Sequence, residues 1–156
     1  PFAGTHREIW VEWWQRFSNE FSVVPGSDYK WVFALNAGPS AREELNFGSG
    51  NPNRLRYRGA GGGTVMPNES GTGTSDAELA DGTWRRCRWN IRHGVGDGHS
   101  RFWLDDKMVL EALGTTTGAG ESFRDLALGR NGRFEAGSVM DLGRYRVYYS
   151  DPGWVV

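Results

Sequence analysis

Residues 81–113, DGTWRRCRWNIRHGVGDGHSRFWLDDKMVLEAL, constrain what this chain can fold into more than any other stretch. Arg85, Cys87, Trp89 and Ile91 alternate with Trp84, Arg86, Arg88, Asn90 and Arg92. Strict alternation is the period of a strand with one face in a core and the other in water. The glycine-rich polar loop HGVGDGHS follows, then a second strand, the acidic turn Asp105-Asp106 and a third short strand. Together they read as a β-meander with an apolar inner face and a cationic outer one.

The same period recurs along the chain. From Arg7 to Phe17, Ile9, Val11, Trp13, Gln15 and Phe17 alternate with Glu8, Trp10, Glu12, Trp14 and Arg16. Glu, Gln and Arg tolerate helices, but three Trp and two β-branched residues favour a strand. Tyr29 to Asn36 sets Tyr29, Trp31, Phe33 and Leu35 against Lys30, Val32 and Ala34, and its apolar second face suits a central strand covered on both sides. Glu43 to Phe47 is weaker. Arg54 to Arg58 turns Leu55 and Tyr57 one way and Arg54, Arg56 and Arg58 the other, a second cationic face.

Residues 59–80 form a long glycine-dense connection in which only Thr64 to Met66 looks extended, and such loops are usually functional or mobile. Ser122 to Leu128 reads as a strand, Gly129 to Gly132 as a turn and Arg133 to Ala136 as a return. Met140 to Tyr149 places Tyr145, Val147 and Tyr149 opposite Arg144, Arg146 and Tyr148. Nine to eleven short strands, punctuated by turns and 23 Gly, predict an all-β, antiparallel two-sheet β-sandwich. At 156 residues the chain suits one domain, 1–156.

The formal charge of −1 gives no global field toward nucleic acid, and no apolar run of about 18 residues is present to span a membrane. Sixteen of the 18 basic residues are Arg, only Lys30 and Lys107 being Lys. Arg presents a rigid fork suited to carboxylate, sulfate and phosphate, although a GC-rich genome produces the same bias. Cys87 stands alone, so no internal disulfide forms, and it is expected in the core. No secretory signal pattern is present, and the start at Pro1 rather than Met is expected of a beginning that was processed, trimmed or never seen. Asn68-Glu69-Ser70 matches the glycosylation acceptor, a pattern short enough to arise by chance.

REIWVEWWQRF, DGTWRRCRWNIRHGVGDGHSRFWLDDKMVLEA and MDLGRYRVYYSDPG resemble, in that order, the concanavalin A-like jelly rolls, a superfamily of laminin-G-like domains, legume-type lectins, polysaccharide lyases and glucanases. Its members often open a strand with D-G-x-W, follow with x-x-W-V-D-G-x-x-V and close the last strand against the first. Asp81-Gly82-Thr83-Trp84 matches the first element, and Phe102 to Lys107 the second, with Asp106 where Gly is usual. The resemblance implies a concanavalin A-like jelly roll and leaves the activity open.

Glucanases of the superfamily carry E-x-D-x-x-E on one strand, which is absent. Glu8 and Glu12, four residues apart on a strand, stand about 13 Å apart, too far for paired-carboxylate hydrolysis. A polysaccharide lyase needs a cation for the uronate carboxylate and a Tyr or His base. Arg54, Arg56, Arg86, Arg88, Arg92, Arg144 and Arg146 supply cations, and Tyr148, His93 and His99 candidate bases. Of the alginate-lyase segments R-x-E-L-R, Q-[IV]-H and Y-F-K-A-G-x-Y-N-Q, the first is echoed by His6-Arg7-Glu8-Ile9 and the others are absent. His93 and His99, on a glycine loop, read as surface residues. Asp97, Asp105 and Asp106 offer oxygen ligands of the kind calcium takes, without a recognised calcium loop, so no cofactor is expected.

The reading that remains is a non-catalytic binding module. If their strands share one sheet, Arg54, Arg56, Arg86, Arg88, Arg92, Arg144 and Arg146, with Trp84, Tyr148, Trp10 and Trp14, make one face that stacks sugar rings and pairs acidic substituents. The bland alternative is a solvated face whose Arg pair with neighbouring carboxylates. The expected partner is a glycan or a protein subunit, including a second copy of the chain, in an extracellular or particle-surface setting. The competing functions are a structural component of a larger assembly, such as a virion surface, and a lyase on acidic polysaccharide.

Overall fold

The computed structural model describes residues 6–24, 29–36, 42–48, 54–59, 65–66, 76–116, 123–131 and 133–154. The strands are β1 (Glu8–Phe17), β2 (Tyr29–Asn36), β3 (Arg42–Gly48), β4 (Arg54–Arg58), β5 (Val65–Met66), β6 (Trp84–Arg92), β7 (Val95–Leu104), β8 (Lys107–Thr116), β9 (Phe123–Asn131) and β10 (Met140–Tyr148). A single helical turn, α1 (Asp76–Leu79), precedes β6. Two five-stranded sheets form, ordered β10-β1-β6-β7-β8 and β5-β4-β3-β2-β9, and every ladder is antiparallel. Residues 60–64 and 67–75 of the glycine-dense connection, Asn68 included, lie outside the described residues.

The first sheet is the meander extended by the first and last strands. β6, β7 and β8 run consecutively, β1 joins β6, and β10 pairs with β1 from Trp10↔Tyr148 to Phe17↔Met140. Last strand against first is what the resemblance implied. The alternation of β1 and β6 is read correctly: Ile9, Val11, Trp13, Gln15 and Phe17, with Cys87, Trp89 and Ile91, are buried between the sheets. Trp31 gathers the core, its ring 5.3 Å from Phe47, 5.2 Å from Phe102, 5.7 Å from Phe17 and 5.8 Å from Trp13. Tilted and edge-on aromatic packing of this kind adds about 0.5–1.5 kcal/mol per pair beyond area burial.

Several expectations need correction. In β2 the alternation changes phase: the register to β3 and β9 shifts between Lys30 and Val32, and Trp31, Val32 and Ala34 are all buried. A bulge, invisible to a period of two, lets both adjacent residues face the core. HGVGDGHS is not a loop, since only His93-Gly94 separate β6 from β7 and the glycines fall in an irregular start of β7. β9 runs through the turn expected at Gly129, and the return strand reduces to one bridge, Val23↔Phe134. Among the described residues, no helix is long and apolar enough to cross a membrane.

Candidate functional site

Register builds the outward face of the first sheet as rungs. One rung runs Tyr148, Trp10, Asn90, Arg101, Glu111, and the next Arg146, Glu12, Arg88, Trp103, Met108. Aromatic rings and planar polar groups therefore share the face, alternating along β1 as Trp10, Glu12 and Trp14.

Beyond β10 the chain reverses at Asp151-Pro152-Gly153. The Asp151 carboxylate accepts the Gly153 N–H at 2.8 Å, and Gly153 takes φ of 77°, a conformation natural to glycine. This turn lays Trp154 back over the sheet. Its ring stands 5.1 Å from the Arg88 guanidinium carbon and meets Trp103 and Tyr148 edge-on, at 5.8 and 6.2 Å. Trp154 lines both clefts on this face. The larger, about 710 Å³, is walled by Glu12, Arg86, Arg88, Asp106, Arg146 and Tyr148, and the smaller, about 340 Å³, by Glu8, Trp10, Asn90, Arg101, Trp103 and Asp151.

The cations here are bonded to carboxylates of the same face. Arg88 donates from Nε to Glu12 Oε2 at 2.9 Å and from Nη1 to Asp106 Oδ1 at 2.5 Å, and Arg86 pairs with the other Asp106 oxygen. Arg101 bonds Glu111 at 2.9 Å, Arg92 bonds Asp97 at 3.0 Å, and Arg146 reaches Glu12 at 3.9 Å. His99 Nε2 lies 2.6 Å from Asn90 Oδ1 and 3.3 Å from Glu8 Oε1, and Asn90 Nδ2 donates to Glu8 at 3.1 Å. Burial, with Arg101 and Arg92 nearby, lowers the His99 pKa against the opposing pull of Glu8.

A second aromatic shelf sits at the far end. Trp14 and Trp84 are exposed on either side of Gly143, where an added Cβ would meet Trp14 Cβ at 3.1 Å and the Trp84 ring at 3.3 Å. Arg16 covers Trp84 at 5.4 Å and bonds Asp141 at 2.6 Å.

The structure thus brings together Trp10, Arg86, Arg88, Arg146 and Tyr148 around the clefts, with Trp84 and Trp14 on the shelf and Arg92 on the flank. Arg144 is exposed on β10 and lines neither cleft. Arg54, Arg56 and Arg58 do not join them, because β4 lies in the opposite sheet, where Arg56 is opposite Asn46 and Arg58 opposite Glu44. Strand parity shows which way a residue faces, but sheet membership is a long-range property. Trp103 was open to discovery by parity, being outward opposite Arg88. Trp154 follows a Pro-Gly turn and no periodicity announces it. His93 is also corrected: it is buried beside Phe123, ring centroids 4.0 Å apart, with Nδ1 3.8 Å from Glu43 Oε1.

No protein-family model matches the chain, and no curated protein matches it. Among solved structures it is similar to an alginate lyase from Chlorella virus, with a TM-score of 0.64 at 8% identity over 96% of this chain and 74% of that one. It is also similar to an endo-β-1,4-glucuronan lyase from the fungus Trichoderma reesei, at 0.60 and 15% identity over 94% and 71% of the two chains. A receptor binding domain matches at 0.58 and 10% identity, with 93% of this chain covering 32% of that one. At these identities the likeness establishes the fold alone, a two-sheet antiparallel β-sandwich of jelly-roll type.

Proposed function

We propose that the outward face of the first sheet binds glycans and serves as a recognition module. The observation that carries this reading is Trp154, its ring 5.1 Å from the Arg88 guanidinium carbon, between two clefts whose walls combine aromatic rings with carboxylate, guanidinium and amide groups. Sugars present apolar ring faces and hydroxyls that both donate and accept, and such a wall meets both. Its polar side chains are already hydrogen-bonded to one another, so little side-chain entropy is lost when a ligand docks. The fold likeness to two proteins named as polysaccharide lyases supports a carbohydrate-related role.

Binding to an oligosaccharide array followed by titration calorimetry tests the proposal. Trp154→Ala and Trp10→Ala are each expected to weaken binding about tenfold, equivalent to about 1.4 kcal/mol, without moving the unfolding midpoint. Unaltered affinity in both variants would remove the face from the reading.

A lyase is the second reading, favoured by Tyr148 and three arginines lining one cleft. It requires an unsaturated product absorbing in the ultraviolet from alginate or glucuronan, lost in Tyr148→Phe. It ranks second because Arg88, the best buried of the three, is doubly committed to Glu12 and Asp106.

A further inference from the structure

We infer that the ligand of this face is an uncharged glycan rather than a polyuronate. The inference rests on the glycan-binding reading and adds the chemical class.

Capture of a carboxylate in a cleft requires a cation whose charge is not already matched. The charge of Arg88 is matched from two sides, by Glu12 at Nε and Asp106 at Nη1, and the ring of Trp154 lies against it. Asp106 also holds Arg86, and Arg101 is bonded to Glu111. The larger cleft sets three arginines against two carboxylates, a formal +1, and the smaller sets one against two, a formal −1, so the two together sum to zero and the single excess cation belongs to the larger. Arg146 is the least committed, exposed and 3.9 Å from Glu12, and an exposed guanidinium in water contributes little. A uronate entering would have to displace an internal carboxylate or sit beside it, and like charges a few ångströms apart repel. Hydroxyls meet no such obstacle. They donate to Glu12, Glu8 and Asp151 and accept from the arginine N–H groups that point outward.

The experiment compares alginate and glucuronan oligomers with the same oligomers after reduction of their carboxylates to alcohols, beside a panel of neutral hexose polymers, on the wild-type chain and on Trp154→Ala. The expected result is binding of at least one neutral ligand, roughly tenfold tighter than any polyuronate and unchanged between about 20 and 300 mM salt, because no net charge is neutralised. Glu12→Gln, which keeps an acceptor for Arg88 while removing a charge, is expected to improve polyuronate binding several-fold at low salt. Polyuronate binding that is tighter, falls with salt and is lost in Trp154→Ala overturns the ligand class while leaving the glycan face standing. No binding in any arm overturns both.

Discussion

Gln15 is the polar residue on which the aromatic core depends. Its Oε1 accepts the indole N–H of Trp13 at 2.9 Å and of Trp31 at 2.5 Å, with all three side chains fully buried. Leucine there would leave two indole donors unpaired, each costing about 1–3 kcal/mol. Gln15→Leu should therefore lower stability by roughly 2–5 kcal/mol, measured as a fall in the urea midpoint at constant slope. His93 acts through protons. Burial, with the Arg7 charge second, depresses its pKa from 6.5 to about 4. Above pH 6.5 both folded and unfolded forms are neutral and nothing is lost. Between 6.5 and 4 the unfolded chain binds the proton first, so stability falls as the pH falls, by about 3 kcal/mol in the limit. Urea titrations across this window should show that slope, and His93→Phe should flatten it. The parity of Gln15 was legible, but its partners were not, because Trp31 belongs to the other sheet. The burial of His93 likewise depends on Phe123, from a strand 30 residues later in the chain.

At the scale of elements, the β7–β8 turn and the β1–β10 pair set the shape of the face. Asp105 and Asp106 take φ of 48° and 68°, the left-handed pair of a type I′ hairpin. Asp105 also accepts the Arg86 N–H at 2.9 Å, while Asp106 pairs with Arg86 and Arg88. Asp106→Val places a β-branched residue at positive φ and removes both pairs. A loss of about 1–3 kcal/mol is expected, against a near-neutral Asp106→Gly, by thermal or urea unfolding. On β10, the register to β1 slips between Trp13 and Gln15, and Gly143 admits the two exposed Trp over the strand. Gly143→Val should shift the Trp14 and Trp84 emission and cost about 1–2 kcal/mol as the rings move aside. Turn chemistry of this kind is local and so was readable. Bulges were not, since an extra residue leaves composition and hydrophobicity unchanged.

At the scale of the molecule, the first and last strands meet on one sheet. β1 lies between β6 and the edge strand β10, and the segment after β10 returns across the face to set Trp154 against Arg88. The Arg-rich strands thus divide, β4 into one sheet and β6 and β10 into the other, and the cations that do meet are matched by Glu12, Glu111, Asp97 and Asp106. Local pattern alone determined most of the strands, the inward and outward residues of β1 and β6, the acidic turn and the all-β class. Each depends on the period of the extended backbone and on turn preferences, which act within a few residues. Tertiary structure decided which faces adjoin, that Glu12 and Asp106 are shared among Arg86, Arg88 and Arg146, and that Trp154 completes the clefts. Those outcomes depend on strand order and register between residues as far apart as Trp10 and Tyr148.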